Sequence, residues 1–244
     1  MRRLTAVLLV FAALAGGTAS AADHVTLTVY AAASLTDVLP KVDPAERYSF
    51  AGSNTLAAQI AQGAPADVFA SANLSIPEQL YAKGLVTRPY VLTHNTLVMI
   101  VPRANPARIH SVTDLRKPDV KIVIAGPAVP VGAYTLQVLK TMQMTDVLDN
   151  VVSREVDVRD VLAKVALGEA DAGFVYATDA RTVPRKVTVH RLPVWARPNV
   201  AYGIAVVTAS KHRAEAAAYL RMLLGKRAQT TFRAYGFLPR RTPG

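Results

Sequence analysis

The stretch that decides the fold is VTLTVYAAASLTDVL, residues 25–39. Its first six residues, Val25 to Tyr30, are rich in β-branched and apolar side chains and predict a buried strand. Three alanines and Ser34 then form a turn, and residues 35–39 predict the start of a helix. A strand that leads through a short turn into a helix is the repeating unit of α/β proteins with mostly parallel sheets.

The same unit recurs along the chain. Strands are predicted at 47–50, 66–70, 121–125, 172–176, 186–192 and 201–207. Helices are predicted at 55–62, 76–83, 132–142, 158–167 and 226–235, with a further C-terminal helix capped by Ser210. The apolar run from Tyr90 to Val101 predicts a crossing into a second lobe. We therefore predict an α/β protein of two lobes, each a mostly parallel sheet flanked by helices, joined by a hinge of two crossing segments. The expected bounds are 22–88 with 203–244 for lobe I, and 89–202 for lobe II.

The first 21 residues have the order of a secretory signal peptide. Met1-Arg2-Arg3 is positively charged, and the apolar stretch from Leu4 to Ala15 is shorter than the ~20 residues that span a bilayer. The small residues Ala19-Ser20-Ala21 predict cleavage after Ala21. We therefore expect a free periplasmic protein of a Gram-negative cell.

Composition excludes several classes of site. The chain contains no cysteine, so disulfides, thiolate metal sites, cysteine nucleophiles and a lipid-anchoring cysteine are excluded. The formal net charge is +11, but the basic residues are scattered and no aromatic residues alternate with them as in single-strand binders. We expect a monomer that does not bind nucleic acid. The basic residues indicate a solvated surface, with steering of anions toward a cleft as a secondary effect.

No enzyme template is present. The sequence has no HExxH, G-x-S-x-G, Walker A or G-x-G-x-x-G motif, and none of its five histidines has a partner at metal-ligand spacing. We therefore predict a protein that is not an enzyme. A secreted hydrolase with Ser34 or Ser53 as nucleophile is the alternative, and it requires a histidine that the fold brings close.

Hydroxyl side chains stand at two strand-to-helix turns of the first lobe. Ser34 ends the first turn, and Ser53 lies in the turn Gly52-Ser53-Asn54-Thr55. Helix N-termini present unpaired N–H groups and partial positive charge, to which a serine adds one donor. Taken singly, each serine is better explained as an ordinary helix cap. Two such turns at the carboxyl ends of parallel strands favour a ligand site, because ligands bind there in open α/β sheets.

The second lobe repeats this arrangement. Residues 129–132 (VPVG) lead into a helix whose first N–H groups are unpaired. Asp157 opens another helix, and we expect its carboxylate to cap that helix because it would repel an anion. Tyr176 ends the strand 172–176, where its hydroxyl either donates into the cleft or packs at the lobe interface.

Six segments together resemble the periplasmic molybdate-binding proteins of ABC transporters. They are VYAAASLTDVL (29–39), FAGSNTLAAQI (50–60), GAPADVFASA (63–72), VPVGAY (129–134), DVRDVLAKVALGEADAGFVYATDA (157–180) and FRAYGF (232–237). The resemblance covers most of the chain in the family's order and implies the type II periplasmic-binding-protein fold. Relative to that family, the segment between Ser34 and Ser53 is short and contains Pro40 and Pro44.

The resemblance also implies a ligand and its site. It implies that molybdate or tungstate is held, without a cation, by the hydroxyls of Ser34, Ser53 and Tyr176 and by the backbone at Val131 and Val158. No protein atom would ligate the molybdenum, and no cofactor is expected. The implied partner is the membrane permease of an ABC importer.

Alternatives within the binding class stay open at this point. One is another tetrahedral oxyanion, namely sulfate, thiosulfate, phosphate or chromate. Another is an organic solute, for which receptors usually keep an Arg–Asp pair; Arg159, next to Val158, is the arginine to check. A site made only of donors is expected to reject phosphate that carries a proton, and its size is expected to reject sulfate.

Overall fold

The computed structural model describes residues 25–240, so the predicted signal peptide lies outside the described residues. The strands are β1 (Thr28–Ala32), β2 (Arg47–Ala51), β3 (Val68–Ser71), β4 (Tyr90–Asn95), β5 (Leu97–Pro102), β6 (Ile122–Ala125), β7 (Val151–Glu155), β8 (Ala172–Tyr176), β9 (Val187–Arg191) and β10 (Val200–Val206). The α-helices are α1 (Leu39–Val42), α2 (Ser53–Ala61), α3 (Ser75–Ala82), α4 (Pro130–Thr141), α5 (Val158–Leu167), α6 (Ala177–Ala180), α7 (Arg213–Leu224) and α8 (Lys226–Ala234). Short 3-10 helices span Ala33–Leu35, Val112–Arg116, Thr145–Asn150 and Val194–Ala196.

Two five-stranded sheets with the same topology form the two lobes. The first sheet has the order β2-β1-β3-β10-β4 and the second β7-β6-β8-β5-β9. In the first, β1 pairs in parallel with β2 and β3, whereas β10 is antiparallel to β3 and β4. In the second, β6 is parallel to β7 and β8, whereas β5 is antiparallel to β8 and β9. The predicted two-lobed α/β class is confirmed, with four strands of each sheet in one direction and one strand reversed.

The first crossing of the polypeptide from one sheet to the other consists of a single residue, Thr96, which lies between β4 and β5. β4 is hydrogen-bonded in the first sheet and β5 in the second, so residues 90–95 belong to the first lobe by sheet membership. The chain returns with β10 at Val200, before the predicted return at 203. The bounds of lobe II predicted from sequence, 89–202, thus differ from the sheet bounds at both ends. A β-rich run shows the same pattern on either side of a one-residue crossing, so periodicity does not locate it.

Local elements differ from the predictions at several places, including the first helix, the start of α7 and the edge strand β7. The helix expected at 35–39 is a 3-10 turn followed by the four-residue α1, which has Pro40 in its first turn. Ser210 is not a helix cap, because α7 begins after His212 and the Ser210 hydroxyl donates to the Asp67 carboxylate at 2.5 Å. The edge strand β7 was not predicted, since its sequence VVSRE is only partly buried.

The sheets bring six strand ends to one place. Most of the buried apolar side chains form one cluster that includes both sheets, and a smaller cluster packs α2 and α3 against β3. In each lobe three parallel strands, β1 to β3 and β6 to β8, end at the same edge of their sheet. Among the described residues, no helix is both long and apolar enough to cross a bilayer.

Candidate functional site

A cavity between the lobes is lined by the segments at and after those six strand ends. It is lined by Ala32, Ala33, Ser34, Ala51, Gly52, Ser53, Ala72, Val129, Pro130, Val131, Asp157, Val158 and Tyr176. All five predicted site residues, Ser34, Ser53, Val131, Val158 and Tyr176, are therefore brought together, and each is at most 4% exposed. Four of the eight other lining residues are alanines, which leave room for a ligand close to the backbone.

Ser34 lies in the 3-10 turn after β1 and does not cap it. The cap residue of that turn is Ala32, with no side-chain cap hydrogen bond. The Ser34 Oγ atom instead lies 2.8 Å from the hydroxyl of Tyr202, a buried residue of β10. The ordinary-cap explanation of this serine is therefore wrong.

Ser53 is the first residue of α2 and likewise does not cap it, because Gly52 holds the cap position. The N–H group of Ala72, which follows β3, donates to the Ser53 Oγ atom at 3.0 Å. The hydroxyl of Ser53 thus already accepts one hydrogen bond from the protein. Its own proton remains for an acceptor in the cavity.

Tyr176 ends β8, and its hydroxyl is buried without a hydrogen-bond partner among residues 25–240. Its ring packs edge-on against Tyr202, with the centroids 5.7 Å apart. Burial raises the pKa of Tyr176 well above its ordinary value of 10. The phenol therefore keeps its proton and acts as a donor, and a buried donor of this kind requires an acceptor.

The first turns of two helices of the second lobe, α4 and α5, face the cavity. In α4, Pro130 has no N–H, so the Val131 amide is the first donor of the helix. In α5, the Asp157 carboxylate accepts from the N–H groups of Arg159 and Asp160 at 2.7 and 3.2 Å, as predicted. The amide of Val158 lies outside this cap, and first-turn amides have no acceptor within their helix.

A glycine permits α4 to start this close to the sheet. A Cβ atom at Gly132 would lie 2.1 Å from the carbonyl oxygen of Gly126 and 2.5 Å from that of Ala125. Both contacts are with backbone, so the helix would have to move to accept a side chain. Gly132 therefore holds the neighbouring Val131 amide at the cavity.

The lining is uncharged except for one carboxylate. Within the described part of the chain it contains no Lys, Arg or His, and its one carboxylate, Asp157, is engaged by its own helix. The described residues also include no group of three or more His, Asp or Glu placed to hold a metal ion. A hydrolase with Ser34 or Ser53 as nucleophile lacks a histidine base in this lining.

Arg159 serves the lobe contact rather than the cavity. Its Nε atom lies 2.8 Å from the Oδ1 atom of the fully buried Asp179, and its other side forms an ion pair with Asp37 of the first lobe. Burial raises the pKa of Asp179 to about 7, and the guanidinium opposes that shift. The arginine considered for an organic solute thus has two protein partners.

Sequence reasoning missed two contacts at the cavity. Tyr202 touches Ser34 although 168 positions separate the two residues. Gly52 comes so close to the second lobe that a Cβ atom there would lie 2.4 Å from the carbonyl oxygen of Val156. No local motif signals either contact, because both depend on how distant segments pack.

Comparison with known proteins identifies the family. A family model described as a bacterial extracellular solute-binding protein matches residues 27–238, which include the whole cavity lining. This chain belongs to that family. Membership as a solute-binding protein agrees with a two-lobed molecule that has a cavity between its lobes.

The sequences of individual relatives align with most of this chain. The molybdate-binding protein ModA of Mycobacterium tuberculosis is 35% identical over 222 residues, which cover 87% of this chain and 84% of the relative. ModA of Haemophilus influenzae is 34% identical over 243 residues, with 92% and 94% covered. The periplasmic molybdate-binding protein of Azotobacter vinelandii has a TM-score of 0.79 at 22% identity, covering 88% of this chain and all of that one. This structural likeness shows the two-lobed type II fold.

Proposed function

We propose that this protein binds molybdate or tungstate between its lobes, in the periplasm, and delivers the anion to the permease of an ABC importer. The observation that carries the proposal is a buried cavity with hydroxyl and amide donors but no basic side chain in its described lining. The relatives whose names state molybdate binding support the choice of ion. The proposal includes a monomeric protein without catalytic activity or cofactor.

Uncharged donors suffice for a dianion when enough of them converge. Burial removes the hydration of the anion, and this loss must be replaced by hydrogen bonds from the protein. Each hydrogen bond to a charged acceptor contributes roughly 1.5–3 kcal/mol. The N-termini of α4 and α5 add favourable potential from the helix dipole. Hydroxyls from Ser34, Ser53 and Tyr176 with amides at Val131 and Val158 supply donors from both lobes.

The hydrogen bonds within the protein favour ligands without protons. Ser53 already accepts from Ala72, and the phenol of Tyr176 is held in its protonated form by burial. A protonated oxyanion brings a donor that needs an acceptor, and leaving a buried donor unpaired costs roughly 1–3 kcal/mol. We therefore expect discrimination against phosphate, which is partly protonated near neutral pH. Molybdate and tungstate have nearly the same size and charge, so this site accepts both.

Ligand binding is coupled to closure of the lobes. Ser34 and Ser53 belong to the first lobe, whereas Val131, Val158 and Tyr176 belong to the second. An anion that contacts both sides stabilises the closed arrangement relative to an open one. The permease then recognises the closed, loaded protein.

Calorimetry with molybdate, tungstate, sulfate and phosphate tests the proposal. We expect the first two to bind and the last two to bind weakly or not at all. Ser34→Ala and Ser53→Ala should each weaken molybdate binding by roughly tenfold or more, since each removes a donor to a charged acceptor. Ser75→Ala is the matched control, because Ser75 is also the first residue of a helix, α3, but is exposed outside the cavity. Unchanged affinity in both cavity variants, or a preference for phosphate, would refute the assignment.

A further inference from the structure

The hydroxyl of Ser34 is the end of a buried hydrogen-bond chain that starts at the crossing between the lobes. The Thr96 N–H donates to the Oδ1 atom of Asn95 at 2.8 Å. The amide nitrogen of Asn95 donates to the Thr178 hydroxyl at 2.9 Å and to the Tyr202 hydroxyl at 3.2 Å. The Tyr202 hydroxyl in turn lies 2.8 Å from the Oγ atom of Ser34.

The direction of this chain follows from the types of its groups. A backbone N–H only donates, so the atom of Asn95 that faces Thr96 is the amide oxygen, and the nitrogen faces Tyr202. The Tyr202 oxygen therefore accepts from Asn95, and its own proton points in another direction. Among the described residues, the other hydrogen-bond partner of this phenol is Ser34. Burial raises the pKa of Tyr202 well above 10, so the phenol has that proton to donate.

We propose that Tyr202 is a positioning residue that donates to the Oγ atom of Ser34 and thereby directs the Ser34 proton into the cavity. Because Tyr202 places a proton against this oxygen, Ser34 is prevented from donating back to Tyr202. The Ser34 hydroxyl then has the same arrangement as that of Ser53, which accepts from the Ala72 amide. Both serines become oriented donors before the anion arrives, and pre-orientation lowers the entropic cost of binding.

This hydrogen-bond chain also connects the Ser34 hydroxyl to both lobes. Asn95 ends β4 and Tyr202 lies in β10, both in the first sheet, whereas Thr178 lies in α6 of the second lobe. The amide group of Asn95 donates one hydrogen bond to Thr178 in the second lobe and one to Tyr202 in the first lobe. Its side chain is buried and all of its polar atoms have partners, as expected of a group that holds one fixed orientation.

A double-mutant cycle measures whether Tyr202 acts through Ser34; this part rests on the proposed function. Tyr202→Phe should weaken molybdate binding by roughly 3–10-fold, the range of one hydrogen bond. The same change in a Ser34→Ala background should have less than about a twofold effect, because no hydroxyl is left to orient. In a Ser53→Ala background the full loss should persist. Tyr219→Phe is the control, since that buried hydroxyl contacts Tyr48 at 3.1 Å in the same lobe, outside the cavity lining.

Neutron diffraction of the ligand-free protein tests the direction itself, independently of any anion. The deuterium of Tyr202 should lie on the line to the Ser34 Oγ atom. A deuterium on Ser34 that points at Tyr202 would overturn the inference, as would an equal loss of affinity from Tyr202→Phe with and without Ser34. Absence of oxyanion binding by the wild-type protein would refute the proposed function, and the neutron result would still decide the role of Tyr202.

Discussion

Gly52→Ala is expected to impair ligand binding by obstructing closure. Gly52 caps α2 in the first lobe, and Val156 lies in the second lobe between β7 and α5. A Cβ atom at Gly52 would lie 2.4 Å from the Val156 carbonyl oxygen, whereas close carbon–oxygen contacts have separations of about 3.3 Å or more. The oxygen belongs to the backbone and is not free to rotate away, so the lobes would have to separate by about 1 Å at this point.

The magnitude follows from the cost of a contact that is too close. Adding a methyl group to a tightly packed place costs about 1–3 kcal/mol. Because about 1.4 kcal/mol corresponds to a factor of ten in affinity, the Kd for molybdate should rise by roughly 5- to 150-fold. The Val156 contact joins two lobes that separate on opening, so its cost applies to the closed state. The 2.9 Å contact of the added Cβ with the Asn54 Oδ1 atom lies within the first lobe and is relieved by rotation of that side chain. The unfolding temperature of the ligand-free variant should therefore stay near that of the wild type.

Titration calorimetry with molybdate measures the change in affinity. Thermal unfolding with and without molybdate measures the change in stability of the loaded and the ligand-free protein. Gly126→Ala is the matched control, because a Cβ atom there would meet its nearest neighbours at 3.7 and 3.8 Å, in ordinary contact. We expect the control to bind as the wild type does. The reasoning is refuted if Gly52→Ala binds molybdate within twofold of the wild type, or if the ligand-free variant loses as much stability as the loaded one.

Two further predictions concern the second lobe and its contact with the first. Tyr176→Phe should weaken molybdate binding by roughly tenfold or more, because the change removes a hydrogen bond to a charged acceptor. Burial holds the pKa of Tyr176 well above 10, so the phenol keeps its proton between about pH 7 and 9. Wild-type affinity measured by calorimetry should therefore not fall over that range through loss of this proton. Asp37→Asn removes the ion pair with Arg159 between the lobes and should lower affinity by at most about fivefold, less at high salt, because Asp37 is 44% exposed. Asp146→Asn, which breaks the exposed pair with Arg116 within the second lobe, should leave binding unchanged, and an equal loss in both would contradict a closure role for Asp37.

Local sequence predicted the units that carry the site. A strand, a small-residue turn and a helix are each specified by neighbours within about ten residues, through periodicity, capping and turn chemistry. The predicted cap at Asp157 is confirmed for this reason, as is the helix end at Gly168, which has a positive φ of 77°. The carboxyl ends of parallel strands meet at one edge of the sheet, so the sequence by itself predicts that Ser34 and Ser53 lie close together.

The tertiary structure alone decided how those units meet. It placed the crossing at Thr96, set Tyr202 against Ser34, brought Gly52 to Val156 and joined Arg159 to Asp37. Each of these contacts joins segments far apart in the chain, and no local pattern encodes the distance between them. The sequence therefore determined which hydroxyl and amide groups follow the strand ends, whereas tertiary packing, within and between the lobes, determined their orientation and how closely the two lobes approach.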